Sequence, residues 1–551
     1  MIVIKNLFSI GGSESMKSVS VKLMLAILGV TILSSFALAS SSEWIIKKDS
    51  WSATDEKNYS AFIQALGESG CNSVTKCLKS PANPYRASDP SDYGFQSDCG
   101  KFPYLLRSYF AWKNGLPFSY ATGVQSNDPG TRDIRYSPHG NHVTSRRAIV
   151  QRGGPINGLS AVRTVAAETF TAMFRVNPSK DDPNGQWSDF YSPSIVRTQI
   201  KPGSIVYDAD GHVVVIYKVE SDGRVKYFDA HPDNSVTHGT YGKKFARTGL
   251  GQGGGFKNFR PLILVGASRG SRGEYVGGQI KTVANSQIAG FSIEQYVPGR
   301  RGSSGAEFEV GGEWMSFQDF VRARLAGTLK YHPLEELSNG IEALCGDLTD
   351  RVTAVQTSLD AGIQNKSHPA NLPTNIYGTD GEWETYSSPS RDARLKTSMQ
   401  ELLEHVTEMV KLYEQRSQRI DYTGANLPND LRATYQKAAD SCQISYKKTN
   451  GTQQPLDYDA AVKRVFKMSF DPYHCAEMRW GADTAQEMQS CDSRGEKISW
   501  YKAEQRLRNQ IERQYSVRMG FSLSELQAGG PGTGVDKAPN VDLRSYLETL
   551  Q

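Results

Sequence analysis

Three side chains that lie far apart along the chain have the types that nucleophilic catalysis requires. Cys99 stands in a Ser-Asp-Cys-Gly-Lys stretch, His212 opens an apolar strand pattern, and Asp229 lies in the next strand pattern. A cysteine nucleophile needs a base for its proton, a group that orients this base, and donors for the oxyanion. We predict Cys99 as the nucleophile, with its own amide as one oxyanion donor, His212 as the base and Asp229 as the orienting residue.

A helical pattern directly after Cys99 positions the thiol. Its apolar residues fall on one face at helical spacing, namely Phe102, Leu105, Leu106, Tyr109 and Trp112. The unpaired amides and the positive end of a helix start favour thiolate over thiol. We therefore expect a lowered pKa for Cys99 and a helix that ends near Asn114 and Gly115.

Strand patterns that follow in quick succession position the other two residues. They cover 204–207, 213–219, 225–228 and a further apolar run at 262–265, and they predict an antiparallel meander. Neighbouring strands of such a sheet place His212 and Asp229 side by side. The glycine-rich stretches 249–255 and 266–305 predict flexible loops or a linker, interrupted by a strand at 291–296.

The seven cysteines help to separate a reactive thiol from structural ones. An odd number in an oxidising compartment leaves one unpaired within the chain. Cys71 and Cys77 are close enough for a local loop, and four others lie together in the carboxyl-terminal half: Cys345, Cys442, Cys475 and Cys491. If disulfide bonds form only within each of these two groups, all six cysteines are paired and Cys99 is free. The connectivity itself does not follow from sequence.

The first residues have the composition of a secretory signal peptide. Lys17 and Lys22 precede an apolar run at 23–33, and Ala37 and Ala39 are the small residues that a signal peptidase reads. We expect cleavage after Ala39 and an exported protein, periplasmic or secreted, with an uncleaved anchor as the alternative. No other stretch is long and apolar enough to span a bilayer.

In their order along the chain, the motifs resemble those of the NlpC-type cell-wall peptidases, which have a papain-like fold. Over about 83–235 the chain offers Pro84-Tyr85, Asp98-Cys99-Gly100, Pro202-Gly203-Ser204-Ile205-Val206 and His212-Val213-Val214-Val215-Ile216-Tyr217. The resemblance implies the same three catalytic roles, together with Tyr85 beside the oxyanion.

The chain departs from the family pattern in three ways. Gly100 stands where the family has serine. Pro103 would disturb a helix that began at Cys99, so we expect the helix to start slightly later than the family's. The separation between Cys99 and His212 requires an insert at about 120–200 to loop out.

We predict an α+β protein. A papain-like domain with an antiparallel sheet and an N-terminal nucleophile helix is followed by a mainly α-helical domain. The expected segments are a signal peptide at 1–39, a lead-in at 40–82, the papain-like domain at 83–300, a linker at 301–313, the helical domain at 314–525 and a flexible tail at 526–551.

The helical domain shows one particularly clear pattern. Apolar residues spaced by four and three follow Ser388-Pro389 and predict a helix with a packing seam, formed by Leu395, Met399, Leu402, Val406, Met409 and Tyr413. Further helices are predicted at 317–325, 341–359, 431–446, 460–468 and 500–515.

Structural interpretations of the same residues stay open. Cys99 could be a free or disulfide-bonded structural cysteine, and His212 a strand-end histidine without a catalytic role. Asp229 could cap a turn, and His231 is a rival for the orienting place. His139 and His142 have a spacing that can bind metal, but no third ligand accompanies them, so no metal site is predicted.

The sequence therefore predicts an exported cysteine hydrolase that cleaves amide bonds in peptidoglycan stem peptides and needs no metal or organic cofactor. Its expected partner is peptidoglycan or an envelope protein. A net charge of +5 over 551 residues is too small and dispersed to indicate nucleic acid. Two alternatives remain: a thiol-dependent acyl transfer on proteins, and a non-catalytic envelope protein that keeps a papain-like shell for binding or scaffolding. The oligomeric state does not follow from the sequence.

Overall fold

An antiparallel sheet in the amino-terminal half carries His212 at the start of one strand and Asp229 near the end of the next. The computed structural model describes residues 42–91, 93–180, 188–299, 306–378, 381–513, 518–530, 532 and 534–551. The predicted signal peptide at 1–39 lies outside these residues.

The amino-terminal half mixes helices with strands. Its described helices are α1 (Ala53–Glu68), α2 (Val74–Lys79), α3 (Phe102–Asn114) and α4 (Gly158–Glu168). Its described strands are β1 (Phe118–Ser126), β2 (Asn141–Ile149), β3 (Phe190–Tyr191), β4 (Ile205–Asp208), β5 (His212–Val219), β6 (Val225–Ala230), β7 (Val236–Thr240), β8 (Gly255–Phe259), β9 (Leu262–Arg269) and β10 (Tyr275–Thr282).

Six of these strands form one sheet in the order β3-β8-β4-β5-β6-β7, and every neighbouring pair is antiparallel. The predicted meander of 204–207, 213–219 and 225–228 is confirmed. The strand predicted at 262–265 is confirmed as part of β9, but its place in the meander is wrong, because β9 pairs with β10 in a separate hairpin. Strand β8, which starts at the end of a stretch predicted as flexible, takes the place beside β4. The predicted strand at 291–296 is also wrong, since Glu294–Tyr296 forms a 3-10 turn.

Both faces of this sheet are buried, which explains the continuous apolar runs. Side chains alternate between the faces along each strand. In β5, Val213 and Val215 join a core that contains the residues of α3, whereas Val214 and Ile216 face a second core that contains Phe317. The strands are thereby fixed in register from both sides.

The segment predicted as an insert, 120–200, contains structure that the sequence did not indicate. Strands β1 and β2 pair along most of their length, with irregular register around Gly123. The sequence pattern predicts one helix over 159–174, but α4 ends at Glu168 and a separate 3-10 turn follows at Thr171–Phe174.

The carboxyl-terminal half is mainly helical. Its described helices are α5 (Phe317–Ala326), α6 (Pro333–Asp360), α7 (Gly381–Tyr386), α8 (Pro389–Glu414), α9 (Leu427–Ser441), α10 (Tyr458–Arg464), α11 (Ala476–Arg479), α12 (Ala485–Met488), α13 (Glu496–Ala503), α14 (Gln505–Arg508), α15 (Leu523–Gln527) and α16 (Leu543–Thr549). Two hairpins accompany them, β11 (Phe308–Val310) with β12 (Glu313–Met315) and β13 (Gln443–Lys447) with β14 (Gln453–Asp457).

The predicted packing seam lies on α8 and is confirmed. Leu395, Met399, Leu402, Val406 and Met409 are all buried in a core shared with α6 and α9. The predicted helix at 431–446 ends at Ser441, because the alternating residues 443–447 form β13. The segment predicted as a flexible tail is not irregular throughout, since Leu543 and Leu547 of α16 are buried in the same core.

All six predicted disulfide cysteines are paired, as Cys71–Cys77, Cys345–Cys442 and Cys475–Cys491, and Cys99 is free. This is the partition expected for an exported protein. Among the described residues, no helix is both long and apolar enough to cross a membrane.

The two halves contact each other through buried ion pairs. Arg513 Nη2 lies 2.5 Å from Asp208 Oδ2, at the end of β4. Arg391 Nη2, in the first turn of α8, lies 3.1 Å from Asp233 Oδ2, in the turn after β6. These contacts bring the start of α8 to the edge of the sheet where β5 begins and β6 ends.

Candidate functional site

Cys99 and His212 line one cavity of about 160 Å³. Cys99 comes from the turn before α3, and His212 is the first residue of β5. The opposite wall belongs to the carboxyl-terminal half and includes Arg391 and Arg394 from the first turns of α8. The structure thus brings together two residues that are distant in sequence, and it adds a wall that the sequence did not predict.

The turn at 98–101 holds Cys99 just before the helix. The amide of Phe102 donates to the carbonyl of Asp98 at 3.0 Å, and the amide of Lys101 donates to Asp98 Oδ1 at 3.0 Å. Helix α3 begins at Phe102, so Pro103 lies in its first turn, where a missing amide proton costs no helical hydrogen bond. The predicted later start of the helix is therefore confirmed.

Gly100 is explained by a close backbone contact. A Cβ atom at this position would lie 2.6 Å from the amide nitrogen of Thr171 and 2.9 Å from the carbonyl carbon of Phe170. Such distances are too short for a side chain of any kind. The 3-10 turn at Thr171–Phe174 therefore packs directly on the turn that carries Cys99, and it accounts for the glycine where the resembling family has serine.

The sulfur of Cys99 lies beside the backbone that flanks His212. Sγ is 3.9 Å from the carbonyl oxygen of Gly211, and the backbone of Val213 also hydrogen-bonds to the sulfur. Gly211 has a φ of +84°, which closes the tight turn between β4 and β5. The amide of Cys99 donates no hydrogen bond within the described part of the chain, so it is free to bind an oxyanion.

Asp229 orients the imidazole of His212. Its Oδ2 lies 2.7 Å from His212 Nε2, and its Oδ1 accepts from the hydroxyl of Thr237 on β7 at 2.7 Å. Because an ionised carboxylate only accepts, Nε2 carries the ring proton and Nδ1 keeps its lone pair. Within the described residues Nδ1 has no hydrogen bond, and it is the nitrogen left to take a proton.

His231, the other candidate for the orienting residue, lies next to Thr237 and Asp229. Its Nε2 lies 2.9 Å from the hydroxyl of Thr237 and 3.2 Å from Asp229 Oδ2. Thr237 donates its proton to Asp229, so it accepts from His231. His231 therefore supports Asp229, and Asp229 is the group that contacts His212.

The pKa shifts indicate that Cys99 and His212 are both neutral at rest. Burial, followed by the nearby charge of Asp98, raises the pKa of the Cys99 thiol to about 12. Burial and the positive charge of Arg394 lower the pKa of His212. The pKa of Asp229 is lowered, because the charges of His231 and His212 and the His212 hydrogen bond outweigh the burial that would raise it. The expected lowering of the Cys99 pKa is wrong, because the loss of solvation exceeds the benefit of the helix end.

Tyr85 is not placed beside Cys99. Its hydroxyl lies 3.3 Å from Asn114 Oδ1, at the last residue of α3, and its ring packs on Phe62, Tyr109 and Phe110. Cys99 precedes the first residue of the same helix. A helix of this length separates its two ends by roughly 18 Å at 1.5 Å per residue.

Sequence reasoning missed the two arginines that face the cavity. Arg391 is paired with Asp233, whereas the partly buried Arg394 has no hydrogen bond or ion pair with any described residue. Their spacing of three residues after Ser388-Pro389 does put both on one helix face. Where that face points depends on the docking of α8, which no local pattern reveals.

The remaining candidate residues have local partners. His139 Nδ1 contacts Asp128, and His142 Nδ1 lies 2.9 Å from Asn127 Oδ1. The two histidines are therefore tied to different residues of the β1–β2 connection. Cys475, next to His474, is in a disulfide as expected.

The chain was compared with protein-family models, with curated proteins and with solved structures. None of the three comparisons finds a match.

Proposed function

We propose that this protein is an exported cysteine hydrolase of papain-like type, which cleaves amide bonds in peptidoglycan stem peptides. The observation that carries the proposal is the position of Cys99 Sγ beside the backbone on both sides of His212, whose Nε2 is held by Asp229 at 2.7 Å. A nucleophile and a base then line one cavity that accepts substrate, and the orienting carboxylate is hydrogen-bonded to the base.

The first half of the reaction follows from the neutral pair. His212 Nδ1 takes the proton of the Cys99 thiol as sulfur attacks the carbonyl carbon of the amide. The amide of Cys99 donates to the oxygen that becomes negative. His212 then gives its proton to the leaving nitrogen, the C–N bond breaks, and an acyl thioester with Cys99 remains.

The second half uses the same groups in the opposite direction. His212 Nδ1 takes a proton from a water molecule while its oxygen attacks the thioester carbon. The C–S bond breaks, the proton returns from His212 to sulfur, and a carboxylic acid leaves. Asp229 stays ionised throughout and stabilises the imidazolium that forms in each half.

The cavity favours a slender peptide that can place a carboxylate against Arg394. A volume of about 160 Å³ is small beside the roughly 300–1,000 Å³ of drug-sized ligand sites. Arg394 supplies a cation without a partner among the described residues, and a carboxylate is the group that pairs best with a guanidinium. Short peptides with small side chains and free carboxylates, as in cell-wall stems, meet both conditions better than a folded protein does.

A digestion assay tests the proposal. The chain from residue 40 onward is incubated with purified peptidoglycan and, separately, with denatured protein, and the fragments are identified by mass spectrometry. We expect stem-peptide fragments from the wild type and from His142→Gln, which alters an exposed histidine. Cys99→Ala and His212→Gln should lower the release at least about 1,000-fold.

Three outcomes would contradict the proposal. Release that persists in Cys99→Ala would exclude the thiol mechanism. Fragments from denatured protein alone would assign the triad to acyl transfer on proteins. Failure to release anything from either substrate between pH 5 and 9 would favour a binding or scaffolding protein, an alternative that the raised pKa of Cys99 also favours.

A further inference from the structure

A second group of ionisable side chains lies in the interior of the carboxyl-terminal half, apart from the cavity of Cys99. It consists of His368, Asp471 on the segment before α11, and Glu504 at the junction of α13 and α14. One nitrogen or oxygen atom from each lies within 4.8 Å of those from the other two. Asp471 and Glu504 have no exposed surface, and His368 is 9% exposed.

His368 faces two hydrogen-bond acceptors and has only one proton when it is neutral. Its Nδ1 lies 2.7 Å from the carbonyl oxygen of Pro369. Its Nε2 lies 2.8 Å from Asp471 Oδ2, so whichever nitrogen of a neutral ring lacks the proton directs its lone pair at an acceptor. A cation between these two atoms would turn the conflict into two favourable bonds.

Glu504 is a buried carboxyl group that faces the carboxyl group of Asp471. Neither of its oxygens has a hydrogen bond from any described residue. The nearest cation, Arg508 Nη1, lies 3.7 Å from Oε2, beyond hydrogen-bond distance. An unpaired charge in a protein interior is too costly to persist, so this carboxyl group holds either a proton or a metal ion.

A neighbouring histidine is already satisfied and is excluded as a ligand. His474 Nε2 donates to the carbonyl of Lys497 at 2.9 Å, and its Nδ1 accepts from the hydroxyl of Ser469 at 2.7 Å. The candidate ligands that remain are His368, Asp471 and Glu504.

We infer that His368 Nε2, Asp471 Oδ2 and a carboxylate oxygen of Glu504 bind a divalent transition-metal ion, for which Zn²⁺ is the probe. One nitrogen and two carboxylate oxygens suit Zn²⁺ and Mn²⁺. Bonds of about 2.0–2.2 Å place neighbouring ligand atoms about 3 Å apart, which the group reaches with small shifts. The ring of Trp500 stacks on His368 at 4.1 Å and helps to enclose the site, so the ion would stabilise the fold.

The test measures metal content and thermal stability of the mature chain, purified without a metal-binding tag. We expect about one equivalent of bound metal per chain, and a melting temperature that falls with a strong chelator and recovers with Zn²⁺. Glu504→Gln should lose the metal and the response to Zn²⁺. The matched control is Glu496→Gln, which removes an exposed carboxylate from α13 and should keep both.

The same variants distinguish a metal ion bound at Glu504 from a proton on its carboxyl group. Glutamine imitates a protonated carboxyl group, so under the proton account Glu504→Gln keeps the melting temperature and the wild type contains no metal. Wild-type protein with less than about a tenth of an equivalent of metal, and with no response to chelator or Zn²⁺, would overturn the inference. Should Glu504→Gln not fold, His368→Gln provides the second variant with the same expected loss. Neither readout depends on hydrolase activity.

Discussion

Asp229 receives hydrogen bonds from two strands at once, and this fixes the proton on His212. His212 Nε2 binds one carboxylate oxygen and the Thr237 hydroxyl binds the other. The ring therefore presents Nδ1, without a proton, to the cavity. At this scale the chemistry depends on a single proton position.

Asp229→Asn should prevent His212 from acting as the base while the fold stays intact. The amide can donate to Nε2, which moves the ring proton to Nδ1, the atom that must accept from Cys99. We expect kcat/KM on wall fragments to fall by about 1,000-fold or more. Thr240→Val is the matched control, since this hydroxyl lies on β7 and binds Lys226 instead. A loss of less than threefold in Asp229→Asn would refute the proposed role of Asp229.

The raised pKa of Cys99 predicts a slow and strongly pH-dependent thiol. Only the thiolate reacts with iodoacetamide, and the pKa is raised to about 12 by burial. The alkylation rate should therefore rise about tenfold per pH unit from pH 7 to 9. Because the other six cysteines are in disulfides, intact mass reports Cys99 alone. A rate that is flat above pH 7 would show a thiolate at rest instead.

At the scale of elements, the turn before α3 and the 3-10 turn at Thr171–Phe174 leave no room for a side chain between them. In Gly100→Ser, the new Cβ would lie 2.6 Å from the Thr171 amide nitrogen. We expect a loss of about 1–3 kcal/mol in unfolding free energy and a displaced Cys99. Gly249→Ala, where no atom lies within 4 Å of the new Cβ, should be neutral. Equal melting temperatures for both variants would contradict this packing.

Two glycines of helix α6 should respond in opposite ways to substitution by alanine. A Cβ at Gly346 meets no atom within 4 Å, whereas one at Gly340 would lie 2.4 Å from Leu402 Cδ1. Gly346→Ala should stabilise the protein by up to about 1 kcal/mol, since alanine favours a helix. Gly340→Ala should destabilise it, because the seam residue Leu402 must move. Urea unfolding of both variants measures the difference, and a gain in Gly340→Ala would contradict the packing of α6 on α8.

Local sequence patterns predict which segments form helices and strands better than they predict which of these elements pack against each other. The spacing of apolar residues located α3, the meander and α8, because burial imposes a period on each. It placed 262–265 in the wrong sheet, since the choice between β8 and β9 as neighbour of β4 depends on contacts far along the chain. Cys99, His212 and Asp229 follow from motif order, whereas Arg394 enters the cavity only through tertiary docking.

At the scale of the whole molecule, the buried pair of Asp208 and Arg513 links the two halves, with side chains 0% and 5% exposed. Arg513→Met should cost about 3–5 kcal/mol, because the Asp208 carboxylate stays buried without its cation. The double variant with Asp208→Asn should recover part of this loss. Arg272→Met breaks an exposed pair with Glu43 and should cost at most about 1 kcal/mol.

Urea denaturation midpoints, read together with the slopes, measure these changes. Equal losses for Arg513→Met and Arg272→Met would contradict a link of this kind between the halves. So would a double variant that is less stable than Arg513→Met alone.

The cavity wall formed by α8 has a consequence for the order in which the protein matures. Synthesis proceeds from the amino end, and domains tend to fold as their residues emerge. Cys99, His212 and Asp229 are all made before Arg391 and Arg394 exist. The wall that carries Arg391 and Arg394 is therefore the last part of the cavity to be synthesised. The cavity is closed on this side only when the carboxyl-terminal helices dock.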